Sequence, residues 1–288
     1  NILQEAMGLM ISPHASEVQT SFAFLGNGSN GKSALMLIMQ ALFPSTDFIA
    51  SIGLSDFAGD FDIAQAEGKQ VNMVMDDDMT GVKVGKSFKS MICGEPVRVN
   101  RKNRDIKTLS FNLTHFFGLN RLPSIIDKTL GFYRRFCIIP FTNTFGALED
   151  VTAGNATKVK NPSITKAIIE KEADIVFNWA LQGLHRLKEN NWKLSTSKAS
   201  NMAMEQYKEE TDSAYSFFKM CITLKEGSKI SCNELYQSYV VYCSNSGIKN
   251  CLNQNNLGRQ LSLYGISRRR GKERYYTDIE INHKTFNY

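Results

Sequence analysis

The 288-residue sequence lacks the cysteine patterns that mark zinc sites and disulfide frameworks. Its six cysteines form no C-x-x-C pair and have no histidine at ligand spacing, so we expect free thiols in a reducing, cytoplasmic setting. Long apolar runs are also missing, because the longest, Ala34 to Phe43, spans about ten residues and contains Gln40. Neither a secretory signal nor an internal repeat is present. These absences argue against a membrane protein, a secreted disulfide scaffold and a repeat protein.

Composition and charge indicate a globular protein with two parts. The length suggests two domains at roughly 150 residues each, and 42% hydrophobic with 22% charged residues is enough to bury a core. The net charge is +6, yet residues 1–215 hold 23 Lys and Arg against 23 Asp and Glu. Residues 216–288 hold 11 against 5. The surplus therefore lies in the last quarter of the chain, which predicts a separate electrostatic role for that part.

The order of the predicted elements is typical of an α/β protein. Apolar strands at 20–25, 71–75 and 136–141 alternate with helical segments, which indicates a parallel sheet. Residues 96–117 alternate as a hairpin around a polar turn, and residues 142–163 have the composition of a loop.

A broad apolar helical face at 164–190 and a change of pattern near Tyr215 divide the rest of the chain. We predict an α/β core at 1–150, a helical segment and linker at 151–215, and a further domain at 216–288.

Residues 26–33 match the phosphate-binding pattern G-x-x-x-x-G-K-[ST] at every required position. Glycines let backbone N–H groups approach phosphate oxygens, the lysine places a cation at the β- and γ-phosphates, and the serine hydroxyl offers a ligand to Mg²⁺. An apolar strand before the loop and an amphipathic helix behind it supply the required context. The sequence therefore predicts an ATP-binding loop made of Gly26, Asn27, Gly28, Ser29, Asn30, Gly31, Lys32 and Ser33.

Three consecutive aspartates follow the predicted strand at 71–75. Hydrolysis of a bound triphosphate requires a carboxylate on the magnesium side and a group that positions water. We assign the Mg²⁺ carboxylate to Asp76, together with Ser33, and the polarisation of water to Asp77. If Asp78 takes part, the two roles shift by one residue, to Asp77 and Asp78. The alternative is an acidic surface turn or helix cap.

Two further polar positions adjoin apolar strands. Asn120 ends a strand-like run, where a neutral amide can hold the attacking water without adding negative charge; otherwise its Asn-x-x-Pro context is only a turn signal. Arg134 and Arg135 precede the strand at 136–141, where a guanidinium can neutralise charge on the transferred phosphoryl group, in its own subunit or in a neighbour. The alternative for the arginines is a solvated basic pair at a strand edge.

In this order the motifs resemble those of superfamily 3 helicases, in particular the poxvirus- and phage/plasmid-type primase-helicase branch. The resemblance extends over nearly the whole chain, through residues 178–187 and 235–276. The triple aspartate and the double arginine depart from the family pattern, so the residue that acts at each stays open. The matching segments are GNGSNGKS at 26–33, VNMVMDDD at 71–78, FKSMICGEPVRVNRKNRD at 88–105, FFGLNRLP at 116–123 and YRRFCIIPF at 133–141.

The resemblance implies an AAA+-like P-loop NTPase core that forms a ring, usually a homo-hexamer, with ATP bound between subunits. Asp76 and Asp77 would take the roles of the second motif, and Asn120 that of the sensor. Arg134 or Arg135 would reach the γ-phosphate of the neighbouring subunit.

The basic stretch at 86–107 holds seven Lys and Arg against two acids. In the family this is the hairpin that projects into the ring channel, where it grips single-stranded DNA through phosphates without reading sequence. A charge run of this kind is otherwise a solvated hairpin tip. The predicted DNA contacts are Lys89, Arg98, Arg101, Lys102 and Arg104.

Residues 216–288 resemble the C-terminal winged-helix domain of this helicase branch. Residues 253–264 are predicted as the second helix of a helix-turn-helix, and residues 266–276 as the wing. A basic ribbon with tyrosines suits a DNA backbone, and the alternative is a charged hairpin that serves subunit contacts or solubility. The predicted contacts are Arg268, Arg269, Arg270, Lys272 and Arg274.

The resulting hypothesis is an ATP-driven DNA helicase for replication of a virus, phage or mobile element, acting on single-stranded and forked DNA. Its 3′→5′ polarity is implied by the resemblance alone. Because the chain starts at Asn1 rather than Met, we expect a fragment. A primase or initiator domain is a candidate for the missing N-terminal part. Two alternatives stay open: a P-loop ATPase for DNA packaging or helicase loading that does not separate strands, and a non-enzymatic origin-binding module.

Overall fold

The computed structural model describes residues 1–77, 86–101, 105–123, 130–270 and 274–282. Its helices are α1 (Ile2–Met10), α2 (Ala15–Val18), α3 (Lys32–Gln40), α4 (Lys86–Ile92), α5 (Leu130–Tyr133), α6 (Leu148–Thr152), α7 (Ile164–Lys171), α8 (Ala173–Glu189), α9 (Lys198–Thr211), α10 (Ser213–Cys221), α11 (Cys232–Asn245) and α12 (Gln254–Leu263). Its strands are β1 (Ser21–Leu25), β2 (Ile49–Ala50), β3 (Val71–Val74), β4 (Val97–Val99), β5 (Lys107–Leu109), β6 (Thr114–Leu119), β7 (Phe136–Pro140), β8 (Phe145–Gly146), β9 (Lys158–Val159), β10 (Ile222–Ser231), β11 (Arg268–Arg270) and β12 (Arg274–Ile281).

The chain forms two compact units, of which the first ends at Met204 and the second begins at Glu205. This boundary lies inside α9 and divides the segment predicted as a helical linker at 151–215. The division into parts at 1–150, 151–215 and 216–288 stays a prediction.

The first unit is built on a parallel sheet whose described strands lie in the order β2-β3-β6-β1-β7. Phe22 of β1 is in register with Phe116 of β6 and with Cys137 of β7, and β6 also pairs with β3. The side chains of β6 are buried along its whole length, as expected for a central strand of a parallel sheet covered on both faces. The predicted α/β class and parallel-sheet core are confirmed.

The strand order brings distant parts of the sequence together. Because parallel strands end at the same edge, the residues that follow Leu25, Leu119 and Val74 are neighbours in space. The loop after β1, Asn120 after β6 and Asp76 after β3 therefore meet at one edge of the sheet.

The basic hairpin is shorter than predicted. It consists of β4 and β5, paired antiparallel with Val97 opposite Leu109, whereas the segment from Thr114 that was included in its second arm belongs to the central sheet as β6. The apolar run at 113–119 is better buried between two parallel neighbours than exposed on a hairpin.

Helices α1 and α8 approach each other closely because both carry glycine at the crossing. A Cβ on Gly8 would collide with the backbone of Ala180 and Leu184, and one on Gly183 would collide with the backbone of Gln4. Only a residue without a side chain permits this separation of the two helix axes.

A buried acid ties the same helices together. Glu5 is 1% exposed, and it accepts hydrogen bonds from Arg186 Nε at 2.6 Å and from the Ser195 N–H at 2.8 Å. Burial alone raises the pKa of Glu5, but the hydrogen bonds from Ser195 and Arg186 outweigh it, so the pKa lies below its ordinary value. The fold therefore stabilises the charged form of this carboxyl group.

The region at 142–190 holds more structure than its composition predicts. The stretch expected to be a loop contains β8, α6 and β9, with Phe145 paired to Lys158. The single helix expected at 164–190 is divided at Glu172 into α7 and α8, since Glu172 has a non-helical ψ of 11° at a φ of −133°.

The second unit follows the order helix, strand, helix, helix, strand, strand from α10 to β12. Its sheet is antiparallel with the order β10-β12-β11. The helices begin at polar caps: Asp212 accepts from the N–H groups of Ala214 and Tyr215, and Asn253 accepts from that of Asn256. The core of this unit includes Phe217, Leu235, Tyr239, Leu257, Leu261 and Tyr276.

Within the described ranges, no helix is both long enough and apolar enough to cross a lipid bilayer.

Candidate nucleotide-binding site

The predicted phosphate loop connects β1 to α3. Its first residue is tied to the sheet, because the Gly26 N–H donates to Leu119 O at 3.0 Å. Ser29 and Gly31 have φ angles of 52° and 88°, in the left-handed region that turns the chain into the first turn of α3. The side chain of Asn30 is 5% exposed and packs over Gly26. A Cβ on residue 26 would collide with the amide group of Asn30, so this packing requires glycine.

Lys32 lies at the centre of the site and is 5% exposed. Its ammonium group donates to Gly26 O, to Asn30 Oδ1 at 3.2 Å and to Asn120 Oδ1 at 3.2 Å. Burial lowers the pKa of Lys32, and the nearby Asp76 carboxylate opposes that shift. The cation is therefore held by neutral oxygens of the loop and of the neighbouring strand end.

Asn120 connects the lysine to the acid. Its Oδ1 accepts from Lys32, and its Nδ2 donates to Asp76 Oδ1 at 3.1 Å. This hydrogen-bonded row follows directly from the strand order, in which β6 lies between β1 and β3. The ammonium group, the amide and the carboxylate are thus connected by hydrogen bonds at the glycine loop.

The second aspartate points elsewhere. Asp77 Oδ2 accepts a hydrogen bond from the Leu54 N–H at 2.8 Å, and Asp77 is not among the residues that line the cavity at the loop, whereas Asp76 is. Asp78 lies outside the described residues.

The paired arginines are also separated from the loop of their own chain, since neither lines its cavity. Arg135 donates from Nε to Cys93 Sγ at 3.0 Å and from Nη1 to Gly131 O at 2.6 Å. The side chain of Arg134 is exposed. The two arginines therefore have different surroundings. The described hydrogen bonds hold the side chain of Arg135 within its own chain, whereas the side chain of Arg134 faces solvent.

A cavity of about 590 Å³ opens beside the phosphate loop, a size suited to a small-molecule ligand. One side is formed by residues 28–35 with Ile38, Met75, Asp76 and Asn120. The other side is formed by Phe145, residues 159–162, Ile164 and Thr165. Sequence reasoning missed this second side, because the composition of 142–163 is that of a loop; the apolar residues Phe145, Val159 and Ile164 among polar neighbours were the available signal.

The predicted DNA-contact residues of the hairpin are partly paired with acids of the same unit. Arg98 Nε lies 3.7 Å from Asp60 Oδ2, and Arg101 forms an ion pair with Glu67. Lys89 is half-buried on α4. Lys102 and Arg104, which were assigned to the hairpin tip, lie outside the described residues.

In the second unit, Arg268 is engaged within its own fold. It donates from Nε to Tyr276 Oη at 3.0 Å and from Nη2 to Gln254 O, and its guanidinium lies where a Cβ on Gly258 would be. Arg269 and Arg274 are exposed, and the backbone of Arg270 continues β11. Lys272 lies outside the described residues.

An open cavity of about 450 Å³ lies beside α12. Its walls include Asn255, Arg259, Ser262 and Ser267 together with Arg268. The exposed face of α12 was predicted as part of a helix-turn-helix without a named contact residue, and the structure places Arg259 on it.

Two protein families match the sequence. Residues 24–135 match a family of unknown function (DUF5906), and residues 209–277 match a family described as poxvirus D5 protein-like. The first match covers the phosphate loop, the aspartates, Asn120 and both arginines, whereas the second lies in the second unit. No curated protein matches the sequence.

Solved structures of the NrS-1 C-terminal region resemble this fold. One apo structure, of its residues 305–718, matches 97% of this chain and 71% of its own at 12% identity and a TM-score of 0.52. Another apo form matches 76% of this chain at 16% identity and a TM-score of 0.51, and there the chain spans about half of the matched structure, 51%. Identities this low show a shared fold. Together with the poxvirus D5-like match over residues 209–277, this likeness supports the resemblance to superfamily 3 helicases that the motifs predicted.

Proposed function

We propose that the chain is the ATP-hydrolysing motor of a ring-forming DNA helicase that serves replication of a virus, phage or mobile element. The observation that carries the proposal is the row Lys32–Asn120–Asp76, hydrogen-bonded at 3.2 and 3.1 Å. A cation, a neutral amide and a carboxylate beside a glycine loop are the groups that hydrolysis of a triphosphate requires.

The loop has the properties of an anion site. Asn30 Nδ2 is a buried donor with no acceptor among the described residues, and buried donors without partners are rare in folded proteins. Lys32 would exchange the carbonyl of Gly26 for phosphate oxygens, whose negative charge strengthens the hydrogen bonds from the ammonium group. This donor set fits the β- and γ-phosphates of ATP.

Mg²⁺ would be held by the Ser33 hydroxyl and the Asp76 carboxylate. It would neutralise negative charge on the triphosphate. Asn120 would orient the attacking water. The water-polarising role of Asp77 stays a proposal, and its hydrogen bond from Leu54 would have to be kept or exchanged when it acts.

We assign the arginine that completes a neighbouring site to Arg134. Arg135 is tied to Cys93 and Gly131, and releasing it would expose those partners, whereas the exposed side chain of Arg134 is available to a second copy. This assignment accounts for the absence of both arginines from the cavity of their own chain, because a site between subunits takes its arginine from the neighbour.

The hairpin of β4 and β5 is proposed to contact single-stranded DNA in the channel of a homo-hexamer. Its ion pairs with Asp60 and Glu67 would open when phosphates replace the carboxylates, so DNA binding should weaken as salt rises. The 3′→5′ polarity, the cytoplasmic location and an N-terminal primase or initiator domain belong to the same proposal.

The second unit is proposed to be a winged-helix domain for duplex or forked DNA. Support comes from its element order and its antiparallel β10-β12-β11 sheet. The exposed Arg259 on α12 and Arg269 and Arg274 on the closing strands are better placed for phosphates than Arg268, which holds α12 against β12.

The proposal is tested by assays of ATP hydrolysis and of unwinding of forked DNA with single variants. Lys32→Ala should lose hydrolysis and unwinding by about a hundredfold or more, because the transferred phosphoryl group loses its cation. Lys102→Ala should keep basal hydrolysis and lose unwinding. Lys188→Ala, on the exposed surface of α8, is the control and should keep both activities.

Normal unwinding by Lys32→Ala would exclude the motor, and normal unwinding by Lys102→Ala would exclude the channel assignment. DNA-stimulated hydrolysis without strand separation in the unaltered chain would instead favour a packaging or loading ATPase. DNA binding without any hydrolysis would favour an origin-binding module.

A further inference from the structure

The cavity beside the phosphate loop has an apolar wall that the phosphate chemistry does not require. Phe145, Val159 and Ile164 line it, although Val159 and Ile164 are 52% and 45% exposed. Half-exposed aliphatic side chains around a cavity indicate a surface that is stabilised when a ligand covers it.

The wall is attached to the phosphate loop itself. The Phe145 N–H donates to Ser29 O at 2.7 Å, and the ring of Phe145 lies 3.5 Å from the position of a Cβ on Gly31. The main chain of β8 is therefore hydrogen-bonded to the phosphate loop. A ligand bound to the loop would lie next to the ring of Phe145.

Local hydrogen bonds hold the rest of the wall in place. The Lys160 N–H donates to Gly146 O at 2.8 Å, which fixes Val159 beside β8. Asn161 Oδ1 accepts from the N–H and the hydroxyl of Ser163 at 3.1 and 2.9 Å, at the start of α7. Since Ile164 is the first residue of α7, both aliphatic side chains are presented on a structured backbone.

The opposite wall belongs to α3. Leu35 and Ile38 line the same cavity, and a spacing of three residues places them on one face of the helix. The space between α3 and the segment of β8, β9 and α7 is thus apolar on both sides, with the phosphate loop at one end.

We propose that this space is the nucleobase subsite of the nucleoside triphosphate that the phosphate loop binds. A nucleobase is flat and apolar on its faces and polar at its edge, and stacking on an aromatic side chain contributes substantially to its binding. Asn161 and Thr165 also line the cavity, and their amide and hydroxyl groups would serve the polar edge of the base. The inference rests on the proposed nucleotide binding and adds that the base, and not only the triphosphate, is recognised.

The test compares ATP with inorganic tripolyphosphate, each with Mg²⁺, by calorimetric titration of the full chain. Val159→Ser and Ile164→Ser should each weaken ATP binding about tenfold, since each removes apolar area that the base covers, and should leave tripolyphosphate binding unchanged. Both positions are half-exposed, so the fold should tolerate the changes. Leu148→Ser is the matched control, because Leu148 is 65% exposed on α6 and does not line the cavity.

The outcomes separate the subsite from the proposed function. Equal weakening of ATP and tripolyphosphate in both variants would mean that the wall only supports the phosphate loop, and the subsite would be refuted. The same holds if the unaltered chain binds tripolyphosphate as tightly as ATP, or if Leu148→Ser weakens ATP as much as Ile164→Ser. An unaltered chain that binds neither compound would refute the nucleotide-binding function itself, and the subsite with it.

Discussion

His115 is a fully buried histidine in the central strand β6, and neither ring nitrogen has a hydrogen-bond partner among the described residues. Its ring packs near Phe57 and Phe117, with centroid distances of 5.7 and 6.3 Å. Because burial disfavours the imidazolium ion, it lowers the pKa of His115 from 6.5 to about 3. The folded protein therefore keeps this ring neutral at pH values at which the unfolded chain binds a proton.

This difference predicts a loss of stability in mild acid. The contribution of neutral His115 is fully present above the unfolded pKa of 6.5 and falls by about 1.4 kcal/mol per pH unit below it, until the folded pKa is reached. His115→Leu should remove this dependence. The difference in unfolding free energy between the variant and the unaltered chain should therefore depend on pH. It should be roughly 2 kcal/mol more favourable to the variant at about pH 5 than at about pH 7.5.

Urea unfolding at the two pH values measures the effect. His185→Leu, the same substitution on the exposed surface of α8, is the matched control. A stability difference between His115→Leu and the unaltered chain that does not change with pH would show that the histidine is not held neutral by burial.

Individual site residues could be predicted from the sequence where a motif requires a particular type of side chain at a fixed position. Lys32, Asp76 and Asn120 were identified individually from their positions after apolar strands, and their roles in hydrolysis stay proposals. Their hydrogen bonds to one another could not be read from the sequence, because they depend on which strands are neighbours. The tie of Arg135 to Cys93, across 42 positions, was equally invisible.

At the scale of elements, the crossing of α1 and α8 depends on glycine. Gly183 is buried and faces the carbonyl group of Gln4 at a separation that leaves no space for a Cβ. In an exposed helix, alanine in place of glycine adds about 1 kcal/mol of stability. At this crossing the added methyl group must instead push the two helices apart.

Gly183→Ala should therefore lower the unfolding free energy by about 1–3 kcal/mol, the typical range for overpacking a core, as measured by urea unfolding. Asn178→Ala, on the exposed face of the same helix, is the control and should change stability by less than about 0.5 kcal/mol. A stabilised Gly183→Ala variant would contradict the close packing of α1 on α8.

The elements themselves were predictable where hydrophobic periodicity is strong. The positions of β1, β3, β7 and α12 follow from apolar runs with polar boundaries. The segment 142–163 was not predictable as structure, because β8 and β9 are each two residues long and leave no periodic pattern. Phe145 of β8 also donates to Ser29 O in the phosphate loop, a contact that a local sequence window does not contain.

At the scale of the whole molecule, no arginine is among the described residues that line the cavity beside the phosphate loop. Neither Arg134 nor Arg135 lines the cavity, although the motif order indicates an arginine in hydrolysis. We therefore expect a second copy to supply it, and we expect Arg134 to be the residue that reaches across.

Arg134→Ala should bind ATP normally and lose hydrolysis by about a thousandfold, the lower end of the effect for an arginine supplied in trans. A mixture of Arg134→Ala and Lys32→Ala chains should recover part of the activity, because some interfaces then combine an intact Lys32 with an intact Arg134. Steady-state hydrolysis of the mixture, compared with each variant alone, measures this recovery.

Arg135→Ala is the matched variant and should act mainly on stability, since it removes the contacts to Cys93 and Gly131. If Arg135→Ala lost hydrolysis at unchanged stability while Arg134→Ala kept full activity, the assignment of the two arginines would be reversed.

The sequence by itself determined the α/β class of this protein and led to the proposal of its chemistry. The glycine loop, the acids after β3 and the order of the motifs carry a local signature, since each depends on residue types at fixed spacing. Tertiary structure decided which groups meet: the strand order β3-β6-β1 places Asn120 between Lys32 and Asp76, and Phe145 closes the cavity from more than 100 positions away. Such contacts depend on chain topology and packing, so they appear only when the sheet is assembled.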